Sequence, residues 1–190
     1  MADDKLPPAG RYVSDPHHTS LTWRVRHLGL SNYTARFKDV GIALDFRPDD
    51  PRSSSVVATV ASRSVETDFP SDLKDWNGEL ADDQRFLAAG RAPELKFVST
   101  RVVMTGERAA DVTGDLTLRG VSNPFMLAVT FNGHVPNFLE TGKPGIGFSA
   151  QGRFSRSLWG FVFPPAAFVS DEVEVLVEAE LGHAGDGATS

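Results

Sequence analysis

What most constrains this chain is an alternation of apolar and polar side chains that starts near its beginning and returns until its end. Leu21, Trp23 and Val25, with His27 on the same parity, stand against Thr22, Arg24 and Arg26. After Gly29, Leu30, Ser31 and Asn32, which supply a turn, Tyr33, Ala35 and Phe37 repeat the pattern against Thr34, Arg36 and Lys38. A period of two means a strand with one dry face and one wet face. Thr19 to Leu28 alone would span roughly 33 Å, which suits a deep barrel better than a shallow half-sheet. The stretch from Tyr12 to Phe46 therefore reads as two or three long strands of a closed sheet.

The same period recurs downstream. Asp49, Asp50 and Pro51 close the Phe46 strand, and Ser54 to Ser62 is apolar on both parities, as a strand covered on both sides would be. Alternation is clear again at Leu95 and Phe97, at Val112, Gly114, Leu116 and Leu118, and at Phe125, Leu127, Val129 and Phe131. It continues through Ile146, Phe148, Ala150 and Phe154 and ends at Val173, Val175, Val177 and Leu181. Arg119-Gly120 is the expected hairpin turn, with Pro124 at the entry of the following strand. One helix is predicted from about Asn77 to Ala89. Asn77 would cap it, Glu79, Asp82 and Asp83 would sit near the positive end of its dipole, and Gly90 and Pro93 would end it. Eight or nine strands with one helix and no βαβ rhythm leave an antiparallel barrel or a sandwich.

Composition narrows the function. The chain has 190 residues, a size suited to one well-buried domain, and a formal net charge of -6 with no basic run. A nucleic-acid role would have to overcome phosphate repulsion without an electrostatic footprint. Cysteine is absent, so thiol nucleophiles, disulfides and Cys-ligated zinc drop out. The five histidines form no His-x-x-x-His pair, and no metal site is expected. No segment approaches the roughly 20 apolar residues of a membrane span, and the first residues lack the apolar core of a signal peptide. The expectation is a cytoplasmic protein, or a periplasmic or secreted one if a signal was removed before this numbering. Residues 1–9 and 182–190 read as disordered ends around one domain over residues 10–181.

Several motifs in order resemble a known family. Asp15-Pro16, His18-Thr19, Leu21, Trp23, Val25-Arg26-His27 and Phe37 form the first. They are followed by Pro93, Leu95, Phe97 and Ser99-Thr100, then Gly114 to Val121 with Pro124, then Phe154-Ser155-Arg156 with Gly160, and finally Asp171-Glu172-Val173. This set resembles the bacterial YceI family of lipocalin-like, polyisoprenoid-binding proteins over residues 10 to 181. Two departures stand out. Glu79-Leu80 and Arg85-Phe86-Leu87 replace that family's usual residues near the helix, and Ala35 stands where a glycine is common. The resemblance implies an all-β fold, a closed eight-stranded antiparallel lipocalin-like barrel with one short helix over a mouth. It also implies a long amphiphile held in an apolar tunnel.

The candidate ligand-binding residues are Trp23, Val25, His27, Phe37, Phe97, Phe131, Phe148 and Arg156. There are 13 Phe and only 2 Tyr. Phenylalanine offers apolar area with no group demanding a hydrogen bond, which suits a hydrocarbon-facing wall, although each Phe alone could equally fill a solid core. His27 is expected inward near a strand end, as a donor to a phosphate or quinone oxygen, or else as a brace to a backbone carbonyl. Arg156, in a bend with Trp159 and Gly160, is the guanidinium expected at a mouth, whereas Arg24 and Arg26 fall on the outer parity. Asp115 is expected as an outer-face partner for a cross-strand arginine. Gly145-x-Gly147-x-x-Ala150 imitates a dinucleotide fingerprint, but an alternating strand follows where a helix is needed.

The functional expectation is non-enzymatic binding, transport or storage of a polyisoprenoid, an isoprenoid quinone or a fatty-acid derivative, with no cofactor required and with a homodimer compatible with the sequence. The alternative is a small enzyme in the same barrel, with His18 or His27 as base and Arg156 as clamp, which requires those groups to converge on one cavity.

Overall fold

The structure is a computed structural model and describes residues 6–185. Its strands are β1 (Gly10–His27), β2 (Ser31–Phe37), β3 (Val40–Phe46), β4 (Ser55–Ala61) and β5 (Val65–Glu66), followed by helix α1 (Trp76–Asp82). Five long strands complete the chain: β6 (Glu94–Met104), β7 (Ala109–Leu118), β8 (Val121–Val135), β9 (Gly145–Ser155) and β10 (Val169–His183).

All pairings are antiparallel, and β10 returns to β1, so the sheet closes and has no free edge around the ring. Along its other edge β1 pairs first with β3, Gly10 to Val13 against Phe46 to Ala43, and then with β2, Leu21 to His27 against Phe37 to Ser31. β2 and β3 are thus one stave broken at Lys38-Asp39, and β4 and β5 are another, broken by the turn Ser62–Ser64. The ring then counts eight staves: β1, β2/β3, β4/β5, β6, β7, β8, β9 and β10.

The opening motif does structural work. Between the pairs Ser14↔Leu181 and Thr19↔Ala179, four residues of β1 face one of β10. Asp15 holds this bulge by accepting from the backbone N–H of His17 at 2.7 Å and of His18 at 3.2 Å. A wide bulge ejects its extra residues from the ladder. His18 accordingly lies exposed, with its ring against Asp15.

Three apolar clusters stack along the barrel. Tyr12, Ile146 and Leu181 gather toward one end, and Phe97, Val112 and Phe125 form the waist. At the helix end Phe37, Val60, Leu80, Phe86 and Leu118 gather around Trp159, which is 1 % exposed and donates its indole N–H to Leu116 O at 2.8 Å. Two glycines let the waist aromatics lie flat on the wall. A Cβ on Gly114 would come within 2.6 Å of the Phe97 ring, and one on Gly152 within 2.5 Å of the Phe125 ring. The Arg119-Gly120 turn is as expected, both residues having positive φ (52° and 77°) between the paired Leu118 and Val121.

The helix differs from expectation. It spans seven residues and is capped by Asp75, whose carboxylate accepts from Gly78 N at 2.8 Å. Asn77 lies inside it and accepts instead from Thr67 N and Thr67 Oγ1, tying the helix to the loop before it. Phe86 to Ala89 fold back as turns, with Ala88 and not Gly90 in the left-handed region. The ends also differ. Leu6 to Ala9 lie against the barrel, where Pro8 O accepts from the Tyr12 hydroxyl, and Gly182 and His183 belong to β10. The rest of both expected loose ends lies outside the described residues. Pro124 sits four residues into β8, opposite Asp115, and Asp115 has no cationic partner among the described residues. Outer-face pairs form elsewhere, among them Arg24 with Glu174 at 2.7 Å and Arg153 with Glu174 at 3.0 Å.

Candidate functional site

The inner parity of the staves encloses an apolar bore in two chambers. The chamber at the open end is about 290 Å³ and is walled by Ile42, Leu44, Phe46, Phe131, Phe148 and Leu181, among others. The chamber under the helix is about 280 Å³, with Leu21, Trp23, Phe37, Trp76, Phe154 and Val173 in its wall. Ala58, Phe97, Leu127 and Val177 border both chambers, which therefore meet at a waist at the Phe97 level. Each chamber is near the size at which small-molecule pockets begin.

Hollowness also shows in the burial of the wall. Leu21, Trp23, Ile42, Leu44, Phe46, Leu127, Phe131, Phe148, Val175 and Val177 point inward yet stay only partly buried. Inward apolar side chains in a filled core would be shielded almost completely. Phe97, by contrast, is 6 % exposed, packed between Gly114 and Phe125.

The helix-side mouth is roofed by rings in a chain. Phe69 meets Trp76 (6.4 Å between centroids), Trp76 meets Phe86 (5.6 Å) and Phe86 meets Phe163 (5.7 Å). The Arg85 guanidinium stacks on Phe163 at 4.5 Å and hydrogen-bonds Asp83, whose carboxyl it holds down at about 2. Trp76 donates its indole N–H to the Tyr33 hydroxyl at 3.1 Å. Trp23 Nε1, by contrast, is buried with no hydrogen-bond partner.

The structure places the sequence candidates as follows. Trp23, Val25, Phe37 and Arg156 border the helix-side chamber, Phe131 and Phe148 border the other, and Phe97 borders both. His27 borders neither, and its side chain is exposed. Its parity is inward, but it is the last residue of β1, beyond the shift of the β1–β10 register after Val25, and Leu28 N is already bonded to Phe168 O in the capping loop. Alternation reports a face and not how far a cavity extends along it.

Arg156 is buried, 7 % exposed, and has no capacity for a ligand. A guanidinium has five N–H donors. Here Nε donates to Ser170 O, Nη1 to Phe161 O and Phe163 O, and Nη2 to Pro164 O and Val169 O. Arg156 thus clasps the loop that covers the mouth. Burial lowers its pKa, which nearby Asp171 opposes. The sequence did not show that Phe161 to Ser170 would fold back and turn their carbonyls onto it. His18, His27 and Arg156 do not converge, so the arrangement required by the enzyme alternative is not formed.

Sequence reading missed Phe46, Tyr33, Trp76, Phe86 and Phe163 as wall residues. Phe46 and Tyr33 share the inward parity of their strands and were within reach of the argument. Phe163 lies in a loop without periodicity, where no such signal exists.

A closed antiparallel barrel with an apolar bore and a roofed mouth belongs to the class of small β-barrels that enclose ligand cavities. Comparison with known proteins narrows this: a family model for the YceI-like domain matches residues 12–181, and the chain belongs to that family. A UPF0312 protein of Pseudomonas putida (strain W619) is 33 % identical over 161 residues, covering 85 % of this chain and 80 % of the relative. Among solved structures, the Campylobacter jejuni YCEI protein has a TM-score of 0.72 at 25 % identity, covering 82 % of this chain and 88 % of that one. Burkholderia cenocepacia BcnA gives 0.74 at 18 %, with 88 % and 98 % covered. A polyisoprenoid binding domain from Saccharophagus degradans gives 0.61 at 13 %, with 93 % and 99 % covered, and these last two show the common fold. No helix among the described residues is long and apolar enough to cross a membrane.

Proposed function

We propose that this protein binds one long-chain amphiphile, a polyisoprenoid, an isoprenoid quinone or a fatty-acid derivative, with the tail threaded through the bore, and that it carries or stores this lipid without altering it. The observation that carries the reading is the pair of chambers stacked along the bore, walled almost wholly by carbon and left partly unfilled by their own side chains. An empty cavity of that kind forfeits dispersion contacts on every wall atom, and a hydrocarbon chain restores them. The neighbour described as a polyisoprenoid binding domain supports the same ligand class. Binding without chemistry is favoured because the guanidinium at the roofed chamber, Arg156, is spent on carbonyls and the Trp76 indole on Tyr33, which leaves the unpartnered Trp23 indole N–H as a donor but, among the described residues, no carboxylate or imidazole as acid or base. No resident cofactor enters this reading.

Native mass spectrometry of the purified protein, followed by lipid extraction, is the direct test. A co-purifying adduct that extracts as an intact long-chain lipid is the expected result. A protein that stays at its bare mass after incubation with isoprenoid lipids, or that returns them chemically altered, would overturn the reading.

A further inference from the structure

Each end of the bore carries a guanidinium, beside Glu107 at the open end and Lys96 at the helix end, and the two guanidinium groups differ in what they hold. At the helix end the guanidinium at the wall, Arg156, spends all five donors on carbonyls. At the open end Arg108 stands on the rim of the chamber, at the start of β7. Its Nε donates to Phe131 O at 3.1 Å and its Nη2 to Asn132 O at 2.7 Å. With two of five N–H groups used, three remain uncommitted. Among the described residues Arg108 has no carboxylate within ion-pair distance, and Glu107 beside it makes no pair with it.

The position of Arg108 is built by the sheet. Between the pairs Phe131↔Phe148 and Gly133↔Gly147, β8 carries one extra residue, Asn132. Gly133 follows with φ 152°, a conformation that suits glycine. This bulge supplies the Phe131 and Asn132 carbonyls that the guanidinium uses. Its plane is also held over the Phe131 ring, 5.3 Å from the centroid. Phe131 in turn packs with Phe46 and Phe148 as the aromatic wall of the chamber. A tail lying on those three rings ends its apolar path at Arg108. Ser54 and Ser55 on the same rim add hydroxyl donors.

We infer that Arg108 is the head-group site: the amphiphile lies with its tail toward the helix and an anionic oxygen group, phosphate or carboxylate, against the free edge of the Arg108 guanidinium. This rests on the amphiphile reading above and assigns the ligand's direction and charge. Guanidinium forks match both oxyanions, and the fixed plane reduces the ordering cost of binding. A neutral alcohol of the same tail would use the bore but not this site.

The test titrates one tail, the four-unit isoprenoid, as alcohol, monophosphate and carboxylic acid, against the wild type, Arg108→Gln and Arg108→Lys, following tryptophan fluorescence, with thermal melting as a fold check. The wild type should bind at least one of the two anions about tenfold more tightly than the alcohol, the scale of a charged hydrogen bond. Which anion gains more separates phosphate from carboxylate ligands. Arg108→Gln should abolish that gain while leaving the alcohol's affinity unchanged, and Arg108→Lys should keep only part of it. Equal wild-type affinity for alcohol and anions overturns the head-group assignment and leaves the bore reading standing. So does an Arg108→Gln loss that falls equally on alcohol and anions, which would make Arg108 a brace for the bulge. If none of the three ligands binds the wild type, the bore reading falls with it.

Discussion

Tail length is the sharpest quantity that the bore sets. On β10, beyond the irregular end at Val169, the regularly paired wall runs from Val173 in the helix-side chamber to Leu181 in the open chamber. Those eight residue steps cover about 26 Å of strand, or about 20 Å along the axis at a tilt near 40°. Carbon–carbon bonds of about 1.5 Å advance roughly 1.25 Å each in a zigzag, so about 16 main-chain carbons, about four isoprene units, fill the bore. At ~0.3 kcal/mol per non-hydrogen atom, the about five carbons of each unit contribute ~1.5 kcal/mol, or about tenfold in affinity. Isoprenoid alcohols of increasing length, titrated with Trp23 and Trp76 as fluorescent reporters in the chamber wall, should bind about tenfold more tightly per unit up to four and level off beyond. A plateau at two units would mean that the waist at Phe97 bars the tail. Affinity that ignores length, or that keeps rising without a break, would refute confinement in the bore.

Three further perturbations separate the frame from the cavity. Arg156→Leu leaves five carbonyls without their donor, and at about 1–3 kcal/mol for an orphaned buried acceptor the loss in urea unfolding should be about 3 kcal/mol or more; a loss below 1 kcal/mol would show that the loop does not need its clasp. Phe97→Ala should cost about 3–5 kcal/mol, as a packed core aromatic does, whereas Phe131→Ala, at a half-buried wall position, should cost clearly less and weaken ligand binding; equal costs would contradict a hollow bore. Burial raises the pKa of Asp171, but hydrogen bonds from Ser157 and Ser155 and the nearby Arg156 outweigh it, and the carboxyl lies below its ordinary 3.8. Its contribution is therefore complete above the unfolded value and lost as pH falls through the lower folded one. Between about pH 5 and about pH 2 the wild type should lose stability more steeply than Asp171→Asn, and parallel curves would refute the assignment.

Faces were legible in the sequence, and distances along them were not. Strict alternation put Trp23, Val25, Phe97, Phe131 and Phe148 on the inner parity, and the structure has each of them bordering the bore. The same rule put His27 inward and failed, because the β1–β10 register shifts after Val25 and leaves His27 exposed at the strand end. Arg156 was read as a residue near a mouth, which it is, but its chemistry depends on a loop from Phe161 to Ser170 whose backbone carries no periodic signal. Arg108 escaped notice for a related reason. Its role follows from one extra residue in β8, and a bulge at Asn132-Gly133 breaks the alternation that the reading relied on. The helix was found but placed too far along, since Asp75 and Asn77 are both good capping residues and only the Thr67 hydroxyl decides which is free to cap.

A hollow barrel has to find its stability away from its middle, and the distribution of buried groups shows where. Full burial is concentrated at the ends and at one ring of the waist: Tyr12, Ile146 and Leu181 at one end, Trp159 and Arg156 at the other, Phe97 and Phe125 over Gly114 and Gly152 between them. Because these plugs do not depend on the bore being filled, the wall between them can keep its apolar surface bare without the sheet collapsing onto it. Closure of the ring contributes in the same direction, since every stave has hydrogen-bonded neighbours on both sides and none can shift inward without breaking two ladders. The opening motif then has a physical reading of its own. Asp15 and the bulge it caps let β1 stay paired with β10 over nearly its whole length while bending around a cavity that a straight strand would cross.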